Sequence, residues 1–161
     1  MSEPQARLSD QQLLVLRLLL VAPMVGAYFA IAVVLFLGIS LESKTDWIVQ
    51  GYALYAAIAF IVGGLPLQFV LGRSIDTRLS RRVRDGASTE EGFFGAYRTK
   101  VVISAVLTEL MVFGVLAAHV LTGRLMLLWI ASVVPITGLS RLPTLHGFEN
   151  WCANVRERAR D

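Results

Sequence analysis

Twenty-four consecutive residues, 18–41, carry no charge. About 20 apolar residues make a helix long enough to cross the ~30 Å hydrocarbon of a bilayer. Inside that layer every backbone amide must find its partner within the segment, so a run of this kind has only the helix open to it. With Arg17 at its mouth the run defines a first span over about 17–41. A second run covers 48–72, behind a short connection holding Lys44 and closed by Trp47, an aromatic suited to the headgroup level. So short a connection predicts an antiparallel hairpin. A third run, 101–122, extends back to about 97, and a fourth covers 125–140, reaching about 142 when Arg141 snorkels toward the headgroups.

The 161 residues form one domain. The hydrophobic fraction of 55% and mean hydropathy of +0.62 are too high for an ordinary soluble domain. A signal peptide is the rival for the first run, since Ala30-Ile31-Ala32 resembles a cleavage site. Signal cores are only about 7–15 residues long, however, and this one runs on past the supposed cut. One cysteine and two distant histidines give no disulfide, no metal cluster and no cofactor fingerprint. The net charge of +3 does not mark a nucleic-acid partner, because the basic residues flank apolar runs.

Those basic residues set the orientation. Thirteen of the fifteen Lys and Arg lie in the N-terminal flank, the central polar segment and the tail, leaving Lys44 and Arg124 for the opposite side. The positive-inside rule then places both termini and the central segment in the cytoplasm.

The polar segments have their own periodicity. Residues 1–12 read as a frayed or interfacial leader. In the central segment, 73–96, Ile75, Leu79 and Val83 recur every four residues while Arg78, Arg81, Arg82 and Arg84 fill the other faces. The second span therefore continues as an amphipathic helix and stops at Asp85-Gly86. Ser88 with Glu91 is a capping-box pattern, so a new helix starts near Thr89 and runs through Phe93, Phe94 and Tyr97 into the third span. In the tail, 145–160, Leu145, Phe148, Trp151, Cys152 and Val155 share one face, predicting an amphipathic helix in the interface plane. Small residues at four-residue spacing predict packing seams: Ala22, Gly26 and Ala30; Ala59 and Gly63; Gly114 and Ala118.

Within the third run stands Glu109, and an ionisable side chain at that depth is a candidate site. It lies about 12 Å beyond Val101 at 1.5 Å per residue. Gly26, Tyr28, Gly63, Gly64 and residues 135–137 fall at matching depth, which makes Tyr28 and Thr137 its expected hydrogen-bonding neighbours. Pro23, Pro66 and Pro135 each free a carbonyl one turn earlier as further acceptors. Three readings follow: a neutral interhelical hydrogen bonder, a proton or cation carrier, or a carboxyl facing lipid or a partner. His119 sits about 80° round the helix and some 15 Å further along, so it reads as interfacial and not as a relay. Arg78, Arg81, Arg82 and Arg84 are candidates for anionic lipid headgroups as well as topology determinants. Cys152 reads as a free thiol, with juxtamembrane acylation as the alternative. No nucleotide-binding, zinc-protease or hydrolase motif occurs. An enzyme acting on lipids would need a polar cluster at the cytoplasmic interface, and the linear sequence displays none.

Two resemblances attach to the second half. GAYRTKVVISAVLTE from Gly95, with the closing RLPTLHGFENW, resembles a group of small four-span bacterial membrane proteins of unassigned function, which implies four spans and a bacterial origin. LTELMVFGVLAA is similar to the carboxylate-bearing helix of rotary-ATPase proteolipids, with Glu109 in the place of the proton carrier and Phe113-Gly114 as the pair after it. The chain lacks the dense glycine repeats and the polar Arg-Gln-Pro loop of those proteins. The sequence thus predicts an all-α inner-membrane protein of four spans in two hairpins with an amphipathic C-terminal helix. Its predicted role is non-enzymatic and accessory, with lipid, a second copy or another membrane protein as partner, and proton or cation transport through Glu109 as the alternative.

Overall fold

A computed structural model describes residues 9–38, 46–87, 89–139 and 142–160, and of Thr137 and Leu139 the backbone alone. These residues form five helices: α1 (Asp10–Leu37), α2 (Trp47–Arg84), α3 (Glu90–Thr122), α4 (Leu125–Leu139) and α5 (Leu145–Arg160). Three of them, α1, α2 and α3, are long and apolar enough to cross a membrane. Their surfaces agree with that, because Phe29, Phe36, Tyr55 and Phe69 are each at least two-thirds exposed. Apolar surface on that scale needs an apolar neighbour.

Local signals set the helix ends. Ser9 and Gln12 form a reciprocal capping box, so α1 begins at Asp10 and takes in three of the twelve leader residues expected to fray. The 38 residues of α2 run without a break through Pro66 to Arg84, as the Ile75, Leu79 and Val83 spacing predicts. Asp85 and left-handed Gly86 (φ 69°) end it. The cap of α3 is the Thr89 hydroxyl, which accepts from the Gly92 amide at 3.2 Å; Ser88, expected to do this, lies outside the described residues. The segment 73–96 is consequently almost all helix, the extended ends of α2 and α3. At the other end of α3, Gly123 (φ 66°) donates to the His119 carbonyl and makes the turn into α4. Thr144 caps α5 by accepting from the Gly147 amide at 3.0 Å.

The long helix α3 is the axis, packing on α1, α2 and α4, while α5 lies on the extension of α2. Two cores are stacked along it. One joins Leu16, Leu20 and Met24 of α1 to Leu79, Phe93, Val101, Phe148, Cys152 and Val155. The other joins Ala27 and Ile31 to Ala53, Ala57, Val112, Val115, Leu128 and Ala131. Because α3 stands between them, α1 and α2 do not form the closely packed hairpin that their short connection suggests.

The packing seams differ from those expected on two helices. Ala22, Gly26, Ala59 and Gly63 are exposed and Ala30 is half-buried, whereas α1 packs through Leu16, Leu20, Met24, Ala27 and Ile31. The buried face of α1 thus lies beside the small-residue stripe and not on it. On α3 the seam is as expected: Ala118 is buried, and the Phe60 ring lies where a Cβ on Gly114 would come within 2.8 Å. The tail helix also departs from expectation. Its apolar face is covered by protein, with Phe148, Cys152 and Val155 at 1%, 3% and 0% exposure, and is not left for the bilayer surface.

Candidate functional site

The polar centre of the molecule lies where α2 and α3 pass the ends of their apolar stretches. Asp76, buried on α2, is its hub. The Lys100 ammonium of α3 reaches both carboxylate oxygens, at 3.0 and 3.1 Å. From α5, the Trp151 indole Nε1 donates to Oδ1 at 2.8 Å and the Arg158 guanidinium stands 3.6 Å from Oδ2. A carboxylate with two donors at hydrogen-bond distance and a second cation beside it offsets the cost of burying its charge. Lys100 also lies 5.6 Å from the centroid of the Trp151 ring, a cation–π distance. Around the hub the rings of Phe93, Tyr97, Phe148 and Trp151 meet at centroid separations of 5.1–6.3 Å. Arg84 adds a clasp by donating to the Ala159 carbonyl at 3.1 Å. Arg17 donates to the Pro143 carbonyl at 3.2 Å, tying α1 to the start of the tail.

Beneath the hub a second polar set continues into the apolar stretch. The Gln68 amide nitrogen donates to the Ser104 carbonyl at 2.8 Å and to the Thr108 hydroxyl at 3.1 Å, and Thr108 donates to the same carbonyl at 2.8 Å. The Ser104 hydroxyl is sealed from solvent and has no hydrogen-bond partner among the described residues. Burying such a group unpaired costs about 1–3 kcal/mol.

Both sets line one cavity of about 570 Å³. Its polar wall comprises Gln68, Arg73, Asp76, Thr77, Tyr97, Lys100, Ser104 and Arg158, and its apolar wall Leu20, Phe69, Ile75, Val101 and Ile103. Arg73 is exposed and meets no carboxylate among the described residues. Three cations therefore surround one carboxylate.

The residues singled out by sequence lie elsewhere. Glu109 is half-buried, and its carboxylate has no hydrogen bond or ion pair among the described residues. The Tyr28 hydroxyl donates to the Ser132 carbonyl at 3.0 Å, three residues before Pro135 of α4. The Thr137 side chain lies outside the described residues. Arg78, Arg81, Arg82 and Arg84 are all exposed on the extension of α2 and do not line the cavity. His119, at the end of α3, is buried by protein, with Nδ1 3.0 Å from the Arg124 carbonyl. A carbonyl only accepts, so Nδ1 carries the proton and the ring ties the α3–α4 turn. Cys152 is buried in the lower core, out of reach of an acyl donor. Burial pushes its thiol up to about 11, with Glu149 adding to the effect and Arg156 opposing it.

The polar cluster absent from the linear sequence thus exists in the fold, drawn from three helices. Asp76 and Lys100 are 24 positions apart and Asp76 and Trp151 are 75 apart, so no local motif announces them. Gln68 was the available signal, an amide deep inside a charge-free run whose other amide, Gln50, lies near its start. In comparisons with protein families, curated proteins and solved structures, nothing matches this chain.

Proposed function

We propose that the chain is a four-span bacterial inner-membrane protein, N-in and C-in, with a non-enzymatic accessory role centred on its cytoplasmic end. The hub at Asp76 carries this reading: it locks α5 onto the extensions of α2 and α3 and makes a rigid platform outside the apolar stretch. The fourth span is α4, which is about 22 Å long and so crosses only where the layer is thinned or flanking residues snorkel. The thirteen-to-two division of Lys and Arg supports the orientation. Single cysteines at positions 44 and 81, in a Cys152→Ala background, test it. Opposite sidedness toward an impermeant maleimide is expected, and labelling from the same side overturns the four-span arrangement.

A second reading is proton or cation transport through Glu109, supported by a half-buried carboxylate with no partner among the described residues. Under it Glu109→Gln abolishes flux in proteoliposomes while the protein still folds. Wild-type protein that passes no proton or cation under any imposed gradient removes this reading.

A further inference from the structure

The cavity between α2 and α3 has a graded lining. At its outer end stand Arg73, Lys100 and Arg158, with only Asp76 to balance them, and Asp76 is already bonded to Lys100 and Trp151. Arg158 keeps more than half its side chain exposed, and Arg73 has no carboxylate beside it. About 6 Å further in, one helical turn from Lys100, is Ser104, whose hydroxyl is sealed from the cavity space. The remaining wall is apolar, and Phe69 is 68% exposed at its edge. From outside inward the lining runs from three cations that share one carboxylate, Lys100 and Arg158 both paired with Asp76 and Arg73 with none beside it, to hydrocarbon.

We propose that this cavity binds one molecule of an anionic phospholipid from the adjoining leaflet. The phosphate lies between Arg73 and Arg158, whose guanidinium forks match its oxygens. An acyl chain lies along Ile103 and Phe69. Basic pockets between spans on this side of a membrane have the charge to hold such headgroups, and a cavity of 570 Å³ is within the range of small-molecule sites. The site is separate from the exposed Arg78, Arg81, Arg82 and Arg84, which attract anionic surfaces without selecting a molecule. The proposal rests on this end of α2 and α3 lying at a headgroup layer. It does not depend on which side of the membrane that layer faces, so the sidedness labelling and the following test fail independently.

The test is native mass spectrometry of the delipidated full chain in neutral detergent, titrated with phosphatidylglycerol, phosphatidylcholine or glycerol 3-phosphate. One phosphatidylglycerol should bind, in preference to phosphatidylcholine. Arg73→Gln, at an exposed position with no carboxylate beside it among the described residues, should weaken that binding about tenfold, as expected for one charged hydrogen bond, while Ser104→Ala, whose hydroxyl is sealed from the cavity, should leave it within twofold. Arg73→Lys keeps the charge but not the fork, so its affinity should fall between those of wild type and Arg73→Gln, and Arg82→Gln should leave it within twofold. Equal losses in Arg73→Gln and Arg82→Gln mean a diffuse field and overturn the site. Equal binding of phosphatidylcholine overturns the requirement for negative charge. Glycerol 3-phosphate binding as tightly as phosphatidylglycerol overturns the amphiphile in favour of a soluble phosphate ester.

Discussion

The indole of Trp151 donates to the Asp76 carboxylate across 2.8 Å, joining the tail helix to the extension of α2 over 75 positions of sequence. Lys100 holds the same carboxylate from α3. One buried acid thereby fixes three helices at the end of the molecule that carries most of its positive charge.

Asp76→Asn leaves Lys100 without its counter-ion. Breaking a fully buried pair costs about 3–5 kcal/mol. Lys100 is one-third exposed, so water recovers part of this and about 1–3 kcal/mol is expected. Thermal unfolding in detergent should show the loss, together with a shift in Trp151 emission. Unchanged stability in Asp76→Asn would mean that α5 is held by its apolar face alone.

That apolar face has its own test at Phe148. Its ring is 1% exposed and packs against Tyr97 at 5.1 Å. Phe148→Ala should cost about 3–5 kcal/mol, the usual range for emptying an aromatic site. The tail should then become sensitive to limited proteolysis before the rest of the chain.

The Cys152 thiol has a pH signature. With the pKa raised from the ordinary 9.0 to about 11, roughly one thiol in a thousand is ionised at pH 8. Alkylation of the folded protein should be slow and should quicken on unfolding. Because the folded state holds this proton more tightly than the unfolded chain, the thiol leaves stability level below pH 9 and lowers it as pH rises from 9 toward 11. Cys152→Ala should remove that part of the alkaline loss. Rapid labelling of the folded protein at pH 8 would show the thiol to be open to solvent.

Two glycines separate a packed seam from an open one. A Cβ at Gly114 would sit 2.8 Å from the Phe60 ring, so Gly114→Ala should cost about 1–3 kcal/mol through overpacking. Gly26 has nothing within 4 Å of that position, and Gly26→Ala should stay within about 0.5 kcal/mol of wild type. Paired unfolding measurements in one detergent decide it, and a large loss at Gly26 would indicate that its face is covered by another molecule.

Much of the helical framework was legible from residue spacing alone. Apolar runs long enough to cross a bilayer's hydrocarbon produced α1, α2 and α3. The four-residue recurrence of Ile75, Leu79 and Val83 carried α2 to Arg84, and Gly86 and Gly123 marked turns by needing positive φ. These are local effects, decided within a turn or two of helix. Glu109 was conspicuous for the same reason, since a single acid in an apolar run is visible without knowing its neighbours.

What lies beside what could not be read this way. Which face of a helix packs is decided by its neighbours, and α1 buries Leu16, Leu20, Met24, Ala27 and Ile31 in place of the Ala22, Gly26 and Ala30 stripe. The tail's amphipathic face fits a membrane surface or a protein groove equally well, and only the extended ends of α2 and α3 decide for protein. Asp76, Lys100, Trp151 and Arg158 each look like ordinary boundary residues in the sequence. They become one site because three helices converge, and a buried carboxylate is stable only where donors from distant parts of the chain arrive together.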